Sequence, residues 1–209
     1  MSRAVVIDEV EGPYELPLPA MTYEEFLVHP DVPERAEWVC GKAIAMGTVS
    51  RVHARITAFL VTLLNSFVDA NSLGEVFHEP FNMKLQPGQP GRTPDVFVVL
   101  AAHLGRVAGN HLLGAADIAV EVLSTGTAAT DRGAKFYEYE AGRVTEYWLI
   151  DPQREVAEFY HLDDRGHYQL MPTSDGVFRS DVLPGFFLRV AWLWDRPKVR
   201  DAEVELGIR

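Results

Sequence analysis

Between Asp117 and Pro152 the sequence runs through an apolar stretch, a helical pattern and a second apolar stretch, and no other segment restricts the fold as much. "DIAVEVLS" and "EYWLIDP" are short and dense in β-branched and aromatic residues, the composition of buried strands. "TDRGAKFYEYEAG" lies between them and reads as a helix, opened by Thr130 or Asp131 and closed by Gly142. Strand, helix and strand in this order predict a crossover unit, its two strands parallel and its connection right-handed. The expected fold class is α/β, with a mixed β-sheet flanked by α-helices and additional β-hairpins.

The remaining segments fit around that unit. Residues 1–20, with Pro13, Pro17 and Pro19, predict an extended lead-in. In "TYEEFL", Thr22 and Glu25 have capping-box spacing for a short helix ending before Pro30, and "AEWVCGKAIAM" predicts a hairpin turning near Gly41. The clearest helix is "HARITAFLVTLLNSFVDANSLG", where Ile56, Phe59, Leu60, Leu63, Leu64, Phe67 and Val68 form one apolar stripe. His53 falls on the same inward face. "GEVFHEPFNMKL", the turn "QPGQPGR" and "TPDVFVVL" together predict one long hairpin, and "VAEFYHLDDRGHYQL" a second that turns at "DDRG". A chain of 209 residues suits one substantial core, so residues 21–195 are expected as a single domain and 196–209 as a polar tail.

Composition excludes some classes of function. No run approaches the ~18 apolar residues of a membrane span, and acidic Asp8 and Glu9 interrupt any secretory leader pattern. Cys40 is the one cysteine, so no internal disulfide can form, and a cytoplasmic location is expected. The net charge of −11 leaves no whole-molecule basic footprint for nucleic acid. A local basic lining or a bound divalent cation can offset this.

The chemistry centres on an oddity in "IAVEVLS". A lone buried carboxylate costs on the order of several kcal/mol unless it is paired, protonated or bound to a cation, so Glu121 needs a partner. Asp95, directly after Pro94 in "TPDVFVVL", is a second acid at a buried-looking strand. If the strands are neighbours, the two carboxylates can chelate a hard cation. Lys135 follows Glu121 on the helix leaving that strand, and an Asp, a Glu and a Lys around one Mg²⁺ would serve phosphodiester hydrolysis. Plainer readings stand beside these. Glu121 could be a strand-end acid reaching solvent or an arginine, Asp95 a turn residue, and Lys135 the i, i+4 partner of Asp131. His78 and Glu79 are adjacent on a strand and point apart, which makes them poor joint ligands. Ser124 lacks the context of a nucleophile. Phe136, Tyr137, Tyr139, Tyr147 and Trp148 read as core rather than a stacking platform.

"TPDVFVVL", "AVEVLS", "TDRGAKFYEYEAG" and "VTEYWLIDP", in this order and spacing, resemble the Uma-two type restriction endonuclease family of bacteria, a branch of the PD-(D/E)XK nuclease superfamily. The likeness spans about residues 21–190. It implies a restriction-endonuclease-like core, Asp95 and Glu121 as ligands of Mg²⁺ or Mn²⁺, and DNA as substrate. The superfamily's usual lysine position, two residues after the glutamate, is Leu123 here, and the resemblance shifts that role to Lys135. Glu37 matches an early acidic position of the family and His53 a histidine at the start of the long helix. Cys40 departs from the acidic or amide residue that relatives carry in the hairpin turn. The superfamily's habits also imply a homodimer. A different class of function remains beside the nuclease: a non-catalytic scaffold that keeps the fold to bind a protein or nucleic-acid partner.

Overall fold

The computed structural model describes residues 12–208; residues 1–11 of the expected lead-in and Arg209 of the expected tail lie outside the described residues. In chain order the first elements are β1 (Tyr14–Glu15), α1 (Tyr23–Phe26), β2 (Ala36–Val39), β3 (Lys42–Ala45) and α2 (Arg51–Ala70). Strands β4 (Gly74–His78), β5 (Asn82–Lys84), β6 (Gly91–Arg92) and β7 (Val96–Leu100) follow, then a 3₁₀ turn, β8 (His111–Leu113) and β9 (Ile118–Val122). A helical stretch comprises α3 (Ala128–Thr130), a π-helical turn (Asp131–Lys135) and α4 (Phe136–Gly142). The chain ends with β10 (Glu146–Asp151), β11 (Val156–Leu162), β12 (Tyr168–Leu170), β13 (Val177–Arg179), β14 (Phe187–Arg189), α5 (Ala191–Trp194) and α6 (Val199–Glu205).

The central sheet has the order β12-β11-β10-β9-β7-β4. Within it β9 and β10 are parallel, joined by the expected helical crossover, and β7 runs antiparallel to β9. Alternation along these strands sorts the core into two halves. Val96, Val98, Ile118, Val120 and Val122 pack toward the apolar stripe of α2, whereas Phe97, Val99, Ala119 and Leu149 pack with Tyr139 and Met83 on the other side. The second sheet, in the order β1-β3-β2-β6-β5-β8, closes over that other side. Its β2–β3 hairpin turns at Cys40 and Gly41, both with positive φ (49° and 83°), so the Cys40 departure is confined to the turn.

Three expectations need correction. The long hairpin is interrupted: β4 and β7 do pair, but the chain between them leaves the central sheet, and β5 and β6 form a short hairpin of the second sheet. Pro80 has no N–H with which to extend the β4–β7 ladder, and Asn82, Met83 and Lys84 are all buried where they pack on the other sheet. The crossover helix is not capped by Thr130 or Asp131. It is entered through a turn in which Ser124 and Thr127 exchange side-chain to backbone hydrogen bonds (3.1 and 3.2 Å); its end at Gly142 is as expected, with Arg143 following in the left-handed region at φ 70°. The residues read as a polar tail contain α6, whose Ala202 is buried against the core and whose Glu203 accepts a hydrogen bond from Ser66 of α2 at 2.7 Å. Among the described residues no helix is long and apolar enough to cross a membrane.

Candidate active site

Asp95 immediately precedes β7, and extending the register Val96↔Val120 by one residue sets it opposite Glu121 on β9. Side chains opposed across an antiparallel pair start from Cβ atoms about 5 Å apart. Both carboxylates line one cavity of about 30 Å³, with Lys135 and His53 also in its wall. Asp95 Oδ2 accepts the Val122 N–H at 2.7 Å, and Oδ1 lies 3.2 Å from His53 Nε2. Ser50 caps α2 through the His53 N–H, which fixes the turn that delivers this imidazole. Burial alone would lower the His53 pKa, but the hydrogen bond and charge of Asp95, with Glu79 behind it, raise it above the usual histidine value.

Glu121 Oε1 accepts hydrogen bonds from Lys135 Nζ at 2.9 Å and from the Tyr139 hydroxyl at 2.8 Å. The same ammonium lies 3.0 Å from Glu37 Oε1 and 3.1 Å from Asp131 Oδ1. Glu37 is in turn held by Arg92, whose Nη1 donates to Oε2 at 2.7 Å while its Nε and Nη2 grip Glu138. Three carboxylates thus share one lysine that is 2% exposed. The electrostatic result differs from group to group. Burial pushes Glu121 well above the usual carboxylate range, and Asp131, Asp95 and Glu37 add to this against the pull of Lys135. Asp131 is raised for the same reason, and its Oδ1 receives no well-aligned hydrogen bond. Glu37 is lowered, because Lys135 and Arg92 together outweigh burial. Lys135 is held well above its ordinary value, since its three acids overcome desolvation.

Among the described residues no three His, Cys, Asp or Glu side chains converge as a ready ligand set for a metal. Lys135 already occupies the space between Glu121, Glu37 and Asp131. The remaining donor chemistry still suits a small hard cation. Mg²⁺ is commonly held by one or two carboxylates, with water and phosphate oxygens completing its shell. Asp95 and Glu121 supply two such carboxylates at one cavity, and among the described residues Glu121 Oε2 accepts no hydrogen bond.

The structure therefore brings Asp95, Glu121 and Lys135 together, attaches Glu37 through Lys135 and attaches His53 through Asp95. Asp131, Tyr139 and Arg92 belong to the same network and escaped notice as site residues. Asp131, Lys135 and Tyr139 recur every fourth residue, so polar groups on one helical face were a usable signal; Arg92 offered none. Other residues keep structural roles. Glu79 pairs with Arg35 at 2.9 Å, and Tyr147 and Trp148 are fully buried. Tyr137 departs from the core reading, being 68% exposed on the outer face of α4.

A family model described as "Uma2: Putative restriction endonuclease" matches residues 23–191. The uncharacterized protein slr1290 of Synechocystis sp. is 27% identical over 157 residues, which cover 74% of this chain and 81% of that protein. A crystal structure described as a "putative nuclease belonging to DUF820", from Anabaena variabilis ATCC 29413, superposes with a TM-score of 0.71 at 22% identity over 84% of this chain and 98% of that one. At that identity the likeness is one of fold, and it extends to the mixed sheets and flanking helices described above. The family match begins at the first residue of α1 and reaches α5, enclosing every residue of the buried cluster: the chain belongs to the Uma2 family of restriction endonuclease-like proteins.

Proposed function

We infer that the protein is a divalent-metal-dependent nuclease that hydrolyses phosphodiester bonds in DNA, with Asp95 and Glu121 as the ligands of Mg²⁺ or Mn²⁺. The observation that carries this reading is the meeting of two carboxylates from neighbouring strands with a buried lysine at one cavity. When bound, the cation would polarise a phosphoryl oxygen and acidify a water molecule. The chain's own groups do the rest. Lys135 holds a fixed positive charge beside the carboxylates, where negative charge on a phosphate develops during attack. Glu37, itself tied down by Arg92, and Asp131 hold that ammonium in place, and Tyr139 fixes the rotamer of Glu121. His53, 3.2 Å from Asp95 Oδ1, orients the carboxylate that would hold the cation. Cutting both strands of a duplex is served by two copies of this site, which supports a homodimer.

The test is cleavage of supercoiled plasmid in Mg²⁺ and in Mn²⁺ by wild type, Glu121→Gln and Lys135→Met, with melting temperatures taken on the same preparations. The reading predicts nicking by wild type and its loss in both folded variants. Equal cutting by all three would mean a contaminant or a site elsewhere. The scaffold reading draws on the chain's net charge of −11 and on a cavity of only about 30 Å³. It predicts a melting temperature raised by Mn²⁺ with no turnover on any DNA or RNA.

A further inference from the structure

The chain carries 30 acidic residues against 19 lysines and arginines, and most of its arginines near carboxylates pair with them, as Arg35, Arg92, Arg132 and Arg189 do. One group does not. Arg51 and Arg55 on α2 and Arg196 after α5 are exposed and, among the described residues, take part in no ion pair. Arg154 is 76% exposed and comes no closer than 4.0 Å to Asp151. Arg143 and Arg165 are exposed and, among the described residues, unpaired as well but lie at the opposite end of the central sheet, so the informative feature is that these four cluster.

These four guanidinium groups gather at one end of the molecule. Arg55 and Arg196 line a cleft of about 250 Å³ whose floor includes Pro152 and Glu155 of the β10–β11 turn. Arg154, from the same turn, lines the adjoining cleft with Ser124, and Ser124 also lies in the wall of the Asp95–Glu121 cavity. Arg51 stands one helical turn before Arg55 and so on the same face of α2. Glu155 and Asp195 are the exposed acids beside them. With Asp151, 4.0 Å from Arg154, the local balance is four cations to three acids, against 19 to 30 in the whole chain.

We propose that this arginine surface holds the backbone phosphates of double-stranded DNA beside the cutting site, an assignment that rests on the nuclease reading above. Guanidinium groups bind phosphate through paired N–H donors and stay charged at any working pH. They are mounted on a long helix, a tight turn and the segment after α5, so their spacing is fixed, as the phosphate spacing of a duplex is. The surface also explains how a chain of net charge −11 approaches a polyanion: with this end first.

The test measures binding of a short fluorescein-labelled DNA duplex by anisotropy, in Ca²⁺, from about 50 to 200 mM salt. Four phosphate contacts predict a slope of log K against log salt of about −3 to −4. Arg55→Gln combined with Arg196→Gln should reduce that slope by about 2 and raise the KM for cleavage while sparing kcat. Arg143→Gln and Arg165→Gln, exposed arginines at the opposite end of the central sheet, should change neither. Wild-type binding by the double variant, equal weakening by the control variants, or a wild type that does not bind the duplex would each overturn the surface. A plasmid still cut in any of those cases leaves the nuclease reading standing. Binding that weakens as expected with no cleavage of any substrate overturns the nuclease reading and leaves the surface in place.

Discussion

Two buried glutamates sit on the two parallel strands at the centre of this molecule, and their surroundings separate structure from chemistry. Glu146, at the start of β10, accepts hydrogen bonds from Trp148 Nε1, Ser180 Oγ and the backbone N–H groups of Asp181 and Val182, all between 2.7 and 3.1 Å. Glu121 has an overcommitted lysine, one tyrosine and an oxygen turned to no donor. Glu146→Gln should therefore cost roughly 1–3 kcal/mol in urea unfolding, because an amide N–H₂ would face donors, with cleavage unchanged in the protein that remains folded. Glu121→Gln should lower cleavage by about 10²-fold or more in a protein that still folds, because Glu37 and Asp131 continue to pair with Lys135. The sequence distinguishes these residues poorly: both are single acids in apolar runs, and the donors that satisfy Glu146 come from residues 180–182, far along the chain. His53 offers a pH-dependent check. Its folded-state pKa is raised by Asp95, so the pair stabilises fully below the ordinary histidine value of about 6.5 and less as pH rises through the raised value. Urea unfolding from about pH 5 to 9 should show this loss in wild type and not in His53→Gln, and Mn²⁺ affinity should tighten over the same window.

At the level of elements, the crossover helix holds the most informative departure from regular geometry. Its π-helical turn, Asp131–Lys135, inserts an extra residue between α3 and α4 and so changes the helical register between the Ser124–Thr127 turn and Tyr139. Deleting Gly133, whose missing Cβ would meet nothing within 4 Å, should restore a regular helix. One residue is about 100° of rotation, so Lys135 would turn away from Glu121 relative to the Ser124–Thr127 turn that anchors the helix. Cleavage should vanish while circular dichroism reports the same or greater helix content; a deletion variant that cuts normally would mean the π turn does not position the lysine. Element identity along this stretch was legible, because strand, helix and strand each carried its own periodicity. The π turn was not, since its sequence, "DRGAK", is compatible with an ordinary helix and the widening follows from pulling two charged side chains inward at once. The interrupted β4–β7 hairpin was hidden for a related reason: whether β5 and β6 continue one sheet or join another depends on β2, some 50 residues earlier.

Over the whole molecule, α6 closes the far side of α2. Removing residues 199–209 would take away Ala202 and the partly buried Val199, Leu206 and Ile208 and bare the apolar surface they cover, at an expected cost of about 2–4 kcal/mol, read as a lower urea midpoint with cleavage retained at low temperature. The composition of this stretch, half of it charged or polar, concealed the apolar face that docks it. The two sheets raise a different matter. Lys135 rises from the helix on the central sheet and reaches Glu37 on β2 of the second sheet, while Glu138 of α4 and Glu37 both clasp Arg92 of β6. The charged cluster is therefore also the seam between the two sheets. Hydrogen exchange should find the amides of β2 and β9 opening with one common free energy, as a single cooperative unit. In Lys135→Met the second sheet should open first and separately, which would make the residue proposed for chemistry the rivet that keeps the molecule from coming apart in two stages.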